Sequence, residues 1–181
     1  MTEAWIAEVD RFWFEELSSE AWFRRDEAVD SMIRTRFGAL YETLKREGTA
    51  RAAATPAGAL AAIIVLDQFP RNMFRDSPAA YATDAAALAL AQQAVAAGFD
   101  RGMDSRRRQF LYLPFMHSED RAMQARSIAL YRDLGDAEAL DFAERHQAII
   151  DRFGLFPHRN AILGRSSTAA ETAFLKANPG F

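Results

Sequence analysis

Residues 26–48, DEAVDSMIRTRFGALYETLKREG, decide the fold class. Val29, Met32, Ile33, Phe37, Leu40, Tyr41 and Leu44 recur there at spacings of three and four, which puts them on one face of a helix. Asp26 stands where a carboxylate accepts from the first free amides, and Gly48 where a chain can leave a helix without a Cβ in the way. The segment therefore predicts one long amphipathic helix.

The flanking sequence repeats the same grammar. Thr55-Pro56 and Ser77-Pro78 each set a capping hydroxyl before a proline at the first helical position, where the missing N–H is not needed. Two helices are expected to start there, the first interrupted at Pro70 and the second an Ala-rich run over 78–97 that stops at Gly98. Asp104 caps a helix expected to finish near Pro114, because proline disfavours helical geometry in the residue before it. Ser118 is read as the next cap, with Glu119 and Asp120 in the first turn, where carboxylates favour the macrodipole.

Gly135-Asp136 separates that helix from one running to Phe153, on which Phe142, His146, Ile149, Ile150 and Phe153 share a face. Thr168-Ala169-Ala170-Glu171 is a capping box opening a last short helix. No stretch alternates apolar and polar residues between hairpin turns. The expectation is an all-α protein of stacked antiparallel helical hairpins, one domain over 1–181.

Composition narrows the function. The 181 residues are 50% hydrophobic, enough to bury a full core. A net charge of −3 gives no electrostatic footprint for nucleic acid or an anionic membrane. Zero cysteines remove disulfides, thiolate nucleophiles and Cys-ligated zinc together. The start, Met1-Thr2-Glu3-Ala4-Trp5, lacks the basic opening and apolar run of a signal peptide. The most apolar stretch, 57–66, is about half the roughly 20 residues a membrane span needs. A cytoplasmic location is expected. No motif fixes the oligomeric state.

Chemistry-bearing residues concentrate at three places. Phe69-Pro70-Arg71-Asn72 and Phe156-Pro157-His158-Arg159-Asn160 share an FP-RN pattern, and His117-Ser118-Glu119-Asp120 lies between them. Around the first, Pro70 is expected to push Phe69 out of helical geometry and leave Arg71 and Asn72 in a turn. There they would bond carbonyls freed at the helix end or present a guanidinium fork to an anion. In the second, Pro157 fixes a turn, Asn160 can cap residues 161–163, and His158 and Arg159 have no obvious local task. Both phenylalanines read as core anchors.

His146 reads as a satisfied core histidine. Phe12, Trp13, Phe14, Trp22 and Phe23 read as core packing for the first helices, and Arg106-Arg107-Arg108 as a solvated basic face. No H-x-x-x-H or H-E-x-x-H spacing supports a metal, and no cofactor motif is present.

The runs Leu66-Asp67-Gln68-Phe69-Pro70-Arg71-Asn72, Tyr112-Leu113-Pro114-Phe115 leading into His117-Ser118-Glu119-Asp120, and Arg152-Phe153-Gly154-Leu155-Phe156-Pro157-His158-Arg159-Asn160 closely resemble the bacterial family called domain of unknown function 924. Phe12-Trp13-Phe14 and Leu163-Gly164-Arg165 fit it too, so the resemblance covers essentially the whole chain. It implies a tetratricopeptide-like all-helical fold and supplies no biochemical activity. One departure is Leu155, where the family more often carries Arg.

The leading expectation for function is binding of a peptide or small anionic ligand in a polar pocket built from the FPRN, HSED and FPHRN segments. Arg71, Asn72, His117, His158, Arg159 and Asn160 are the expected binding residues. The alternative is a small metal-independent hydrolase with His117 or His158 as general acid or base, for which Asp67 and Glu119 are the candidate carboxylates.

Overall fold

The apolar stripe forms helix α2 (Glu27–Glu47), ended as the sequence specifies. The Asp26 carboxylate accepts from the Ala28 and Val29 amides at 2.9 and 3.3 Å, and Gly48 leaves at φ 80°, a conformation that residues with a Cβ rarely adopt. Val29, Ile33, Phe37 and Tyr41 are buried, whereas Met32 lies at the edge of the stripe and is 42% exposed. This computed structural model describes residues 4–178. Met1, Thr2 and Glu3 of the N-terminal reading fall outside the described residues, as do residues 179–181. Among the described residues every regular element is helical, and the protein is all-α.

Contacts along the chain gather into two compact units. The first runs up to Arg75 and includes Ala79–Pro114; the second joins Asp76–Pro78 to the chain from Phe115 onward. In the first, α1 (Ala4–Arg11), α2, α3 (Pro56–Ile63), α4 (Phe69–Met73) and α5 (Asp84–Ala96) surround a core of aromatic rings. Phe12 and Phe37 lie 5.0 Å apart between centroids, Phe37 and Phe69 4.8 Å, and Trp13 and Phe110 5.4 Å, Phe110 coming from α6 (Ser105–Met116). Phe12 and Trp13 are core residues as expected, but Phe23 is 66% exposed.

Proline is handled differently from the sequence reading at two places. Pro70 does not break the helix. Residues Ile64–Gln68 widen into a π-helical turn in which the Phe69 amide bonds back to the Ile64 carbonyl, and Phe69 stays helical at φ −59° and ψ −38°. Arg71 and Asn72 therefore stand on a helix, not in a turn. The Leu66 carbonyl, which Pro70 has no N–H to satisfy, accepts the Thr83 hydroxyl at 2.5 Å. That use of Thr83 accompanies a break in the expected 78–97 helix into a short 3-10 turn (Pro78–Tyr81) and α5. Pro114 likewise lies inside α6, which runs on to Met116.

The second unit is built on the hairpin of α7 (Arg121–Leu134) and α8 (Ala137–Phe153). Its antiparallel sense is fixed where Arg121, at the start of α7, donates to the Asp151 carbonyl near the end of α8, at 3.2 Å. Gly135 at φ 77° and the Asp136 cap make the connection. The cap of α7 is Asp120, whose carboxylate accepts from the Met123 amide; the expected cap, Ser118, instead accepts from the Asp120 amide. Phe142 points outward, at 47% exposure. After Gly154 the chain makes the turn Pro157–Arg159 and ends in α9 (Ala169–Ala177), opened by the predicted Thr168–Glu171 capping box.

Candidate functional site: histidines and arginine around Phe156

Phe69 and Phe156 are both fully buried, so each FP-RN motif is anchored by its aromatic ring. Their polar residues are used differently. In the first unit Arg71 grips Asp84 with both terminal nitrogens, at 2.9 and 3.0 Å, donates to the Asp67 carbonyl and stands 3.4 Å from the Asp67 carboxylate. Burial opposes the charge on Arg71, but Asp67 and Asp84 outweigh it and raise its pKa. Asn72 donates to Asp30 at 2.8 Å, and Arg75 grips the same carboxylate. Asp67 is fully buried and accepts from the side-chain amide of Gln68. These residues form two ion-pair networks that tie α4 to α5 and to α2.

In the second unit Glu119, His117, His158 and Arg159 come together, and they bring His146 and Arg165 with them. Glu119 accepts from the Phe156 amide at 2.8 Å and takes both ends of the Arg165 fork at 2.7 and 2.9 Å. Arg165 also donates to the Phe156 carbonyl. Burial pushes the Glu119 carboxyl up, yet the Arg165 fork and the Phe156 amide hold it below the usual carboxylate range. This pair clamps the backbone of Phe156 on both sides.

The other residues gather on the phenyl ring. Arg159, only 7% exposed, lays its guanidinium 4.6 Å from the Phe156 centroid and donates to the His117 carbonyl at 3.0 Å. His158 and His146 pack against the ring at 5.6 and 5.5 Å, and His117 lies 6.5 Å from His146. Every histidine of the chain is therefore in this cluster. His146 Nδ1 lies 2.8 Å from the Phe142 carbonyl, which can only accept, so that nitrogen carries the proton. Burial pushes the His146 imidazole down to about 4, with His117, His158 and Arg159 adding to the shift.

Asn160 does not cap residues 161–163. It is 1% exposed and donates to Ser167 and Glu171, tying the turn to α9. Two members of the cluster escaped sequence reasoning. His146 bonds within its own helix, as a satisfied core histidine does, and only the FPHRN turn that follows α8 brings Phe156 against it. The Arg165 amide closes the loop onto the Asn160 carbonyl at 2.8 Å, a pairing that no helical spacing signals.

An open pocket of about 360 Å³ in the first unit is lined by Phe14, Glu15, Asp104, Ser105, Arg106 and Arg107. The Arg run is not simply solvated there. Arg107 stacks on Phe14 and is held between Asp10 and Asp104, so much of its charge is neutralised. No group of three His, Asp or Glu side chains with metal-holding geometry occurs among the described residues.

No curated protein matches the chain. A solved structure described as a protein of unknown function, ATU0120 from Agrobacterium tumefaciens, is similar to it at 37% identity, over 98% of this chain and 99% of that one, with a TM-score of 0.93. The family model for bacterial proteins of unknown function (DUF924) matches residues 9–179, so the chain belongs to that family.

Proposed function

We propose that the second unit binds a small anionic ligand, the phosphate or carboxylate group of a metabolite or peptide, at the cluster around Phe156. The observation that carries this reading is the packing of His146, His158 and the buried Arg159 on one phenyl ring, with His117 6.5 Å from His146. A guanidinium keeps its charge at any working pH, and an anion is the ligand that a largely buried cation favours. Glu119 spends its oxygens on Arg165 and the Phe156 amide, so it acts as a brace for the turn. That commitment favours binding over a hydrolase in which Glu119 serves one of the imidazoles. Arg71 and Asn72 enter this reading as supports of the first unit, each already engaged by a carboxylate.

Melting curves test it. Phosphate, sulfate or acetate should raise the melting temperature above that in chloride at matched ionic strength. At a hundred times the dissociation constant, linkage supplies about 2.7 kcal/mol, or roughly 5–10 °C for a chain of this size. Arg159→Gln should abolish the rise. Equal melting temperatures in all anions for the wild type would overturn the reading.

A further inference from the structure

We propose that the open pocket beside Phe14 binds a small zwitterion of the α-amino acid class, its ammonium on Glu15 and its carboxylate on Arg106. The pocket lies in the first unit and shares no residue with the cluster around Phe156, so it stands apart from the anion-site reading. Its volume of about 360 Å³ is that of a small-molecule site. One wall is already fixed. Phe14 meets Trp22 and Phe110 edge-on, with centroids 6.0 and 5.7 Å away, and the Arg107 guanidinium covers it at 4.6 Å. Arg107 is held by Asp10 at 3.0 and 2.6 Å and by Asp104 at 2.6 Å, and the Asp104 carboxylate also accepts the Arg107 amide at 3.0 Å. Arg107 and Asp104 are thus committed to each other, and a ligand meets them as rigid surface.

Two charges of opposite sign remain available. Glu15 comes from the π-helical turn Phe12–Glu16 and Arg106 from the first turn of α6. Both side chains are exposed and line the same pocket, yet they pair neither with each other nor with any other side chain among the described residues. The charged residues of the lining are two of each sign, so no net field favours a simple anion or a simple cation. Either one would satisfy a single group and leave the other unmatched. A ligand with no net charge and its two charges set apart matches both at once. The Arg106 fork can take its carboxylate through two parallel N–H···O bonds, and the Glu15 carboxylate accepts from its ammonium. Phe14 is half-buried, so the part of its ring left open offers apolar surface to an aliphatic side chain. Leucine has all three features.

Amide NMR spectra recorded while free leucine is added read the site residue by residue. The amides of Glu15, Ser105 and Arg106 should shift together, with a Kd of about 1 mM or tighter, while those of His158 and Arg159 stay in place. N-acetylleucine lacks the ammonium and leucinamide lacks the carboxylate, and each should bind about tenfold more weakly for the lost charge contact. Glu15→Gln should weaken leucine by about the same factor and leave N-acetylleucine unchanged, whereas Arg106→Gln should weaken leucine and leave leucinamide unchanged. Both side chains are exposed and unpaired, so the variants keep the fold, and melting curves that match the wild type check this. Equal binding of leucine and either blocked analogue would overturn the zwitterion, and undiminished leucine binding in either variant would overturn the assignment to that residue. Shifts confined to the turn after Phe156 would overturn the placement, and no shift at about ten times the expected Kd would overturn the site.

Discussion

Phe156 is the residue on which the second unit turns. Its ring carries Arg159 and two imidazoles, and its backbone is clamped by Glu119 and Arg165. Phe69 holds the matching place in the first unit, between Phe12, Trp13 and Phe37. Truncating either to Ala should cost about 3–5 kcal/mol, as for other large buried aromatics, and urea midpoints measure it. A loss under about 1 kcal/mol would place the ring outside the core. Arg165→Gln should destabilise by roughly 1–3 kcal/mol, because the part-buried Glu119 carboxylate loses its fork partner. A glutamate at position 165 should be worse than Gln, and the order of the two midpoints tests whether charge or shape matters there.

At the scale of elements, the passage from α3 through the π-helical turn to α4 shows how a proline is kept inside a helical run. Pro70 leaves the Leu66 carbonyl without its helical donor, and Thr83 supplies one from the start of α5. Thr83→Val should therefore cost about 1–3 kcal/mol by stranding a buried carbonyl. Adding Pro70→Ala should recover part of that loss, because an alanine N–H at position 70 can bond Leu66 directly. A double-mutant cycle measures the coupling, and strictly additive losses would show that the two residues do not share the carbonyl. Gly58 is a second constraint on this passage. A Cβ there would run into the Ala52 carbonyl, which ties the start of α3 to the preceding turn. Gly58→Ala should lower the midpoint despite alanine's better helix propensity.

Over the whole molecule, the pH dependence of stability should fall in two stages. With the His146 pKa at about 4 in the folded chain and near 6.5 unfolded, the unfolded state binds more protons between those values. Stability then rises with pH across that window, and up to ~3 kcal/mol is lost on acidifying from 7 to 4. His146→Gln should remove this stage. Below it, Asp30 and Glu119 matter. Burial raises both, but Arg75 and Asn72 at the first, and Arg165 and the Phe156 amide at the second, hold them below the ordinary carboxylate range. Their contribution is present above that range and disappears as pH falls through their lowered values. Urea midpoints from pH 7.5 to 3 measure both stages, and a flat upper stage would show that His146 titrates normally.

The sequence alone determined the helical class and several helix ends, because periodicity and caps act over three or four residues: Asp26, Thr55, Asp104 and Thr168 all cap as read. It misplaced the end at Pro70, where a π-helical turn and the Thr83 hydroxyl outweigh local preference, the end at Pro114, which α6 runs past, and the cap at Ser118, which passes to Asp120. The candidate site was legible as residue types and not as a constellation. His117 and Arg159 meet across 42 positions, and Glu119 and Arg165 across 46. Only the tertiary structure decided that Arg71 is committed to Asp84 while Arg159 joins the histidines, since similar motifs acquire their partners from the helices that pack beside them.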